Sequence, residues 1–72
     1  MSSKDHLNLD DEGRERIYLV DGPMADRIVK LTTPGEDVAA FDANGTGTFV
    51  QYAWNGERNE DGLRTFIELK NP

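Results

Sequence analysis

Apolar and polar side chains alternate with a period of two along most of this chain, and turn-forming residues separate the alternating stretches. Alternation of this kind, bounded by Gly, Pro, Asn or Asp, is typical of β-strands. It predicts strands at residues 16–20, 27–32, 38–41, 48–54 and 63–69. No stretch shows the helical period of about 3.6 residues. The pattern therefore predicts a chain made almost wholly of short strands.

The connections between these strands are short and carry strong turn signals. Asp21-Gly22-Pro23 joins the first two strands, and Asn44-Gly45 is a type I′ hairpin signal. Because a parallel crossover needs about a dozen residues or more, short connections favour antiparallel pairing. A small sheet curls to hide its edges. The sequence therefore predicts an all-β fold, a small antiparallel five-stranded barrel or sandwich, in one domain at residues 16–70.

Residues 1–15 form a polar, acidic N-terminal arm before the first strand. Beyond Met1, its apolar side chains are Leu7 and Leu9. This composition favours a frayed arm, because so few apolar groups do not offset the entropy of ordering it. The alternative is a short extra strand that docks Leu7 and Leu9 on a sheet edge.

The alternation also assigns the faces of the strands. Six side chains are predicted to form the core: Ile17, Leu19, Val29, Leu31, Leu63 and Ile67. The stretch 48–54 is ambiguous, because Phe49 lies on one face and Tyr52 and Trp54 on the other. Either Tyr52 and Trp54 complete the core and Phe49 is exposed, or Phe49 points inward and the other two form an exposed aromatic patch.

Composition narrows the classes of function. The chain has 14 acidic and 8 basic residues and a net charge of −6, which disfavours binding to a nucleic-acid backbone. The chain has no apolar run of about 20 residues, so the sequence predicts no membrane-spanning helix. The first residues lack the apolar core of a secretory signal. With no cysteine, the chain has neither a disulfide nor a thiolate metal site.

Candidate chemistry is sparse. His6 is the single histidine, which excludes a multi-histidine metal site or a histidine-based triad within one chain. Asp42, Asn44 and Thr46 have the oxygen spacing of a calcium loop, but Ala53 stands where the loop needs its bidentate Glu. The charged segment Asn55–Gly62 is interpreted as a solvated loop. We therefore expect no catalytic residue, no metal and no cofactor.

The segment Tyr18–Val29 resembles a motif of short, largely uncharacterised proteins encoded by phages of actinobacteria. In that family a strand runs into Gly-Gly-Pro-x-Asp-Gly, a Val-rich strand follows, and an aromatic strand comes later, as Phe49–Tyr52 does here. Gly22 and Pro23 match the motif, whereas Asp21 replaces the first Gly and Ala25-Asp26 replaces Asp-Gly. These departures suggest a different turn geometry, because Ala does not tolerate positive φ as Gly does. The resemblance implies a phage or prophage origin and attaches no activity.

The leading interpretation is a non-enzymatic protein-interaction module that docks a host or phage protein through a strand edge or an aromatic patch. The residues predicted to bind this partner are Tyr52, Trp54, Arg64 and Phe66, with the Asn55–Gly62 loop at the rim. The alternative is a structural virion component, such as a capsid decoration or head accessory protein, or a homo-oligomeric assembly protein. The expected location is the cytoplasm of a bacterial host, or the virion.

Overall fold

The structure, a computed structural model, describes residues 8–43 and 45–70, so His6, Leu7 and Asn44 lie outside it. It confirms a small, nearly all-β domain. The five strands are β1 (Arg16–Leu19), β2 (Arg27–Lys30), β3 (Val38–Asp42), β4 (Phe49–Arg58) and β5 (Arg64–Glu68). A 3₁₀ turn at Gly22–Met24 joins β1 to β2, and it is the one helical segment among the described residues. The described residues include no helix long and apolar enough to cross a bilayer.

The strands form one sheet in the order β2-β1-β5-β4-β3, curled into a half-barrel. One pair departs from the expected antiparallel arrangement, because β1 and β5 run parallel, with Leu19 beside Phe66. Short connections constrain only the pairing of strands that are consecutive along the chain. Here the chain leaves β1, builds three other strands, and returns as β5 between β1 and β4, which supplies far more than the length a parallel connection needs.

The concave face of the half-barrel carries the core. Its buried members are Ile17, Leu19, Met24, Leu31, Tyr52 and Phe66. Leu63 is also buried and Val29 packs against the cluster, so the predicted core is confirmed at those positions and at Ile17, Leu19 and Leu31. The prediction is wrong for Ile67, whose side chain is 37% exposed. In β5 the inward face carries Arg64 and Phe66, and alternation therefore turns Ile67 outward.

Strand β4 is longer than its alternation pattern indicated. It continues from Trp54 to Arg58, through residues that the sequence assigned to a charged loop. A register irregularity between Trp54 and Arg58 accommodates this extension. Asn55 supports it, since its side-chain Oδ1 accepts hydrogen bonds from the Glu57 amide at 2.8 Å and the Thr65 hydroxyl at 2.8 Å. A bulge held by side-chain hydrogen bonds leaves no period-two signal in the sequence.

Residues 8–15 of the predicted arm form a tight hairpin beside β1. The Arg16 amide donates to the Asn8 carbonyl at 2.8 Å, and the Asp10 amide donates to the Arg14 carbonyl at 2.8 Å. The side chain of Asp10 closes the turn by accepting from the Glu12 and Arg14 amides, each at 2.9 Å. The described part of the arm is therefore paired with the start of β1 through its backbone, while Leu9 forms one isolated bridge with Glu15 and stays 39% exposed.

Tyr52 fixes the 3₁₀ turn to the sheet. Its hydroxyl donates to the Asp21 carbonyl at 2.9 Å and accepts from the Met24 amide at 3.1 Å. Between these two contacts Gly22 adopts a φ of 76°, and a Cβ built there would lie 2.5 Å from the Tyr52 hydroxyl oxygen. Only glycine satisfies both the left-handed backbone and the close approach.

Asp26 also lies in the left-handed region, with a φ of 66°. This is the position at which the resembled motif has glycine. Asp tolerates this conformation better than most residues, and its carboxylate accepts a hydrogen bond from the Tyr18 hydroxyl. That hydrogen bond raises the pKa of Tyr18 above its ordinary value. The turn thus has positive φ at position 26 although Gly is replaced there.

We expect Gly22→Ala to destabilise the fold by about 2–4 kcal/mol, because it adds both backbone strain and a steric clash. Gly62→Ala is the matched control: Gly62 has a similar φ of 81°, but nothing lies within 4 Å of a Cβ built there. That control should cost about 1 kcal/mol. Chemical denaturation followed by the fluorescence of Trp54 measures both. Equal losses of unfolding free energy in the two variants would show that the clash with the Tyr52 hydroxyl does not contribute to the destabilisation.

Candidate functional site

The structure places the sequence-predicted partner residues mostly inside the domain. Tyr52 and Phe66 are fully buried, and Arg64 is 3% exposed. Tyr52 and Phe66 belong to the core cluster, in which Tyr52 also contacts Phe41 with ring centroids 6.1 Å apart. A partner that docks on the folded domain does not reach these three side chains directly. The contact surface must therefore be sought on the face that their strands turn outward.

Arg64 is the centre of a buried ionic cluster. Its guanidinium meets the Glu15 carboxylate through two hydrogen bonds of 2.7 Å each. It also donates to the Asp37 carboxylate at 3.0 Å and to the Glu36 carbonyl at 2.7 Å. The hydrogen bonds with Glu15, then with Asp37, raise the pKa of Arg64 against the opposing effect of burial. The cluster ties the N-terminal hairpin and the β2–β3 connection to β5.

Trp54 lies half-buried at the margin of this cluster. The Arg64 guanidinium lies 4.8 Å from the centroid of its ring, and the Arg58 guanidinium lies 6.0 Å away. The indole N–H donates to the Glu57 carbonyl at 2.7 Å. Trp54 thus has cation–π and hydrogen-bond partners within the chain, and its role as a partner anchor stays a prediction.

The sequence does not identify Glu15, which is fully buried although it belongs to the polar N-terminal arm. Its carboxylate also accepts from the Gly35 amide at 2.8 Å. No local signal distinguishes it from the other acidic residues of the arm, because its ionic partner is 49 residues away. Long-range pairing of this kind is not visible in a single sequence.

Glu15→Gln should destabilise the domain by about 3–5 kcal/mol, because it leaves the buried Arg64 charge without its main partner. Glu12→Gln is the control, since Glu12 meets Arg14 at 3.9 Å with both side chains more than half exposed, and it should cost less than about 0.5 kcal/mol. Thermal and urea unfolding measure both. The Glu15→Met/Arg64→Met double variant should recover most of the loss, and a double variant as unstable as Glu15→Gln would contradict the ionic explanation.

The face opposite the core carries several exposed apolar side chains. We call this surface the outer apolar patch; its large members are Val20, Val38, Phe49, Ile67 and Leu69. Phe49 is the most exposed, at 64%, and Val38 is 48% exposed. An acidic chain of 72 residues with a mean hydropathy of −0.68 has ample polar side chains to occupy such positions. Contiguous exposed apolar surface is typical of interaction sites.

Strand register makes the patch continuous. Ile67 lies beside Ala53, and Ala53 lies beside Val38, in a row that crosses β5, β4 and β3. Val20 continues this row on the other side, since its amide donates to the Phe66 carbonyl at 2.9 Å. A second row follows, in which Leu69 bonds to Gln51 and Gln51 lies beside Ala40. Phe49 begins β4 beyond this second row, opposite Asp42.

A shallow depression of about 410 Å³ lies in this region; it is lined by Ala40, Phe49, Val50, Gln51, Glu68 and Leu69. Acidic groups flank the edge of the patch at β3. Glu36 and Asp37 precede Val38, and Asp42 ends the strand. Asp37 is paired with Arg64 of the inward face at 3.0 Å, so the acidic residues at this margin of the patch are Glu36 and Asp42. The patch is therefore apolar at its centre and negatively charged along one margin.

A second depression, also about 410 Å³, lies against the N-terminal hairpin and has a different chemistry. Charged side chains dominate its lining, and the Lys30 ammonium meets the Asp10 carboxylate at 2.8 Å. The hydrogen bond from Lys30, followed by that from the Arg14 amide, lowers the pKa of Asp10 to about 2. Asp10 in turn raises the pKa of Lys30. These charges already satisfy one another, and they hold the hairpin to β2.

Because the folded-state pKa of Asp10 is about 2, below its ordinary 3.8, this ion pair stabilises the folded state fully above about pH 4 and loses that contribution as pH falls toward 2. Lys30→Gln should therefore raise the Asp10 pKa toward 3.8, as read from its carboxyl carbon in an NMR titration. Lys70→Gln, a change of the same type at an exposed position, should leave the titration unchanged. An Asp10 pKa that does not respond to Lys30→Gln would contradict the assignment.

Among residues 8–43 and 45–70, no three His, Cys, Asp or Glu side chains are grouped so that they could hold a metal ion. Asp42 belongs to the segment whose oxygen spacing resembles a calcium loop. Its carboxylate accepts hydrogen bonds from the Thr46 amide at 3.1 Å and the Gly47 amide at 2.9 Å.

Comparison of the chain with protein-family models, curated proteins and solved structures finds no match. The assignment of function therefore depends on the geometry of the chain itself.

Proposed function

We propose that this chain is a non-enzymatic interaction module, which binds a protein partner through the outer apolar patch. The observation that carries the proposal is the exposure of Phe49, at 64%, together with four other large apolar side chains on one sheet face. Burial of apolar surface contributes about 25 cal/mol per Å². Aromatic residues, Phe among them, are enriched at the buried centre of protein interfaces.

The occupant we propose is a protein segment that is apolar at its centre and basic at its ends. The chain carries a net charge of −6, and Glu36 and Asp42 lie at the two ends of the β3 margin. Opposite charge on the partner accelerates encounter and fixes orientation. A second copy of the chain brings the same acidic groups to the interface, and like-charge contact opposes it. The resemblance to phage proteins makes a host or phage protein the proposed source of this segment.

The groups with shifted pKa values take part in contacts that hold the fold together. Within the described residues, the groups with shifted pKa values are Asp10, Tyr18, Lys30 and Arg64. Each shift has a carboxylate or ammonium partner that holds structure together, and the outer apolar patch contains none of these four groups. The patch itself offers apolar contact, which is the chemistry of a binding surface.

Selection from a library of random linear peptides, displayed on phage, tests the proposal. The immobilised chain should enrich peptides that combine apolar and basic residues. Phe49→Ser and Ile67→Ser should each reduce the affinity for the enriched peptides by at least about tenfold, the loss expected at an interface anchor. Glu57→Gln, an exposed substitution at the far end of β4, should leave binding unchanged. Because Phe49 is mostly exposed, the free energy of unfolding of Phe49→Ser should lie within about 0.5 kcal/mol of that of the original chain.

Two outcomes would overturn the proposal. One is a set of enriched peptides that bind Phe49→Ser as tightly as the original chain, or no enrichment at all. The other is a chain that sediments as a stable dimer and becomes monomeric with Phe49→Ser. That second result would assign the patch to self-association, as in the homo-oligomeric alternative. Binding that weakens as salt rises supports the basic character of the partner.

A further inference from the structure

The sheet of this half-barrel has two edges, and they differ in their protection. Strand β2 forms one edge and β3 forms the other. Natural proteins protect an edge with charged side chains, proline or bulges. Strand β2 carries Arg27 and Lys30 in four residues, whereas β3 has the sequence Val-Ala-Ala-Phe-Asp, with no proline and no basic residue. The register of β3 with β4 is regular over all five residues. Strand β3 is therefore the unprotected edge.

Hydrogen-bond alternation identifies the groups that β3 presents outward. The Trp54 amide donates to the Asp37 carbonyl at 2.9 Å, which makes Asp37 and Trp54 a hydrogen-bonded pair. Since such pairs alternate along an antiparallel ladder, Ala39 and Phe41 bond to β4, and Val38 and Ala40 direct their N–H and C=O groups away from it. Within the described residues, no hydrogen bond satisfies those outward groups.

The same residues belong to the outer apolar patch. Val38 is 48% exposed and Ala40 is exposed on the face opposite the core. A strand added beside β3 would place alternate side chains next to Val38 and Ala40 and extend the patch by one strand. The small side chain of Ala40 leaves room for a larger apolar group on the added strand. Backbone pairing and apolar contact therefore coincide at one edge.

We propose that the partner binds as an extended segment, which pairs antiparallel with β3 and adds a sixth strand to the sheet. This inference rests on the proposed function, and it names the binding mode and the chemistry of the ligand. The segment carries β-branched apolar residues on alternate positions and basic residues at both ends. Its basic ends lie near Glu36 at one end of β3 and Asp42 at the other. Strand addition of this type draws affinity from main-chain hydrogen bonds and specificity from alternate side chains.

The probe is the acetylated and amidated peptide Lys-Lys-Val-Thr-Val-Thr-Val-Lys-Lys, with its central Val designed to lie opposite Ala40. It should bind the original chain, and amide hydrogen exchange at Val38 and Ala40 should slow on binding. Exchange at Ile28 and Lys30, which form the outward positions of the other edge, should not change. Methylation of the central Val nitrogen removes one main-chain donor and should weaken binding by at least about tenfold.

Two proline variants form a matched pair. Ala40→Pro removes an outward N–H, which leaves the ladder with β4 intact because proline is tolerated at such edge positions. This variant should bind the designed peptide at least about tenfold more weakly than the original chain does. Ile28→Pro makes the same change at the β2 edge, and this variant should bind the designed peptide as tightly as the original chain does. A charge pair complements these: Glu36→Lys should weaken binding, whereas Glu57→Lys, at the far end of β4, should not.

The outcomes separate this inference from the proposed function. If peptides selected from the random library depend on Phe49 but tolerate both Ala40→Pro and loss of the basic ends, the patch binds partners and the strand-addition mode is wrong. If the designed peptide binds equally well with and without the N-methyl group, the mode is also wrong, whether or not Ala40→Pro folds. If no peptide depends on Phe49 or on Ala40, both proposals fail.

Discussion

The buried ion pair of Arg64 with Glu15 is the contact that connects distant parts of this half-barrel to one another. Both side chains are almost completely buried, and separation of a buried pair leaves an uncompensated charge in the interior. The guanidinium also holds the carbonyl of Glu36 and packs on the rings of Trp54 and Phe66. One side chain thus positions the N-terminal hairpin, the connection before β3 and the inner face of β5. The placement of β5 decides which residues face solvent, so the outer apolar patch follows from an interaction on the opposite side of the sheet.

The sequence predicts those features that depend on neighbours along the chain. Alternation places five strands, assigns the faces of β1 and β2, and identifies Asp21-Gly22-Pro23 as a turn, and the structure confirms each of these. It does not predict features that depend on distant residues. The parallel contact of β1 with β5 and the burial of Arg64 both require knowledge of where β5 lies. Alternation alone does not say which face of β5 is buried, and for this reason the prediction that Ile67 belongs to the core is wrong.

The candidate site was predictable only as one of two alternatives. Strand β4 has large side chains on both faces, and the structure selects the alternative in which Tyr52 is buried and Phe49 is exposed. The deciding interaction is the Tyr52 hydroxyl, which bonds to backbone groups on both sides of Gly22. A phenol with two buried backbone partners has a strong preference for the inside. The exposure of Phe49 is therefore a consequence of where Tyr52 finds its hydrogen bonds.

The central position of β5 has a consequence for how the chain folds as it is synthesised. The β1–β2 and β3–β4 pairs form from neighbouring segments, but among the five strands only β5 joins them, and it leaves the ribosome last. An isolated two-stranded hairpin is marginally stable in water. The nascent chain therefore holds two incomplete units, with apolar surface exposed on both faces, until β5 and its arginine emerge. During that interval the exposed apolar surface makes aggregation a competitor of folding.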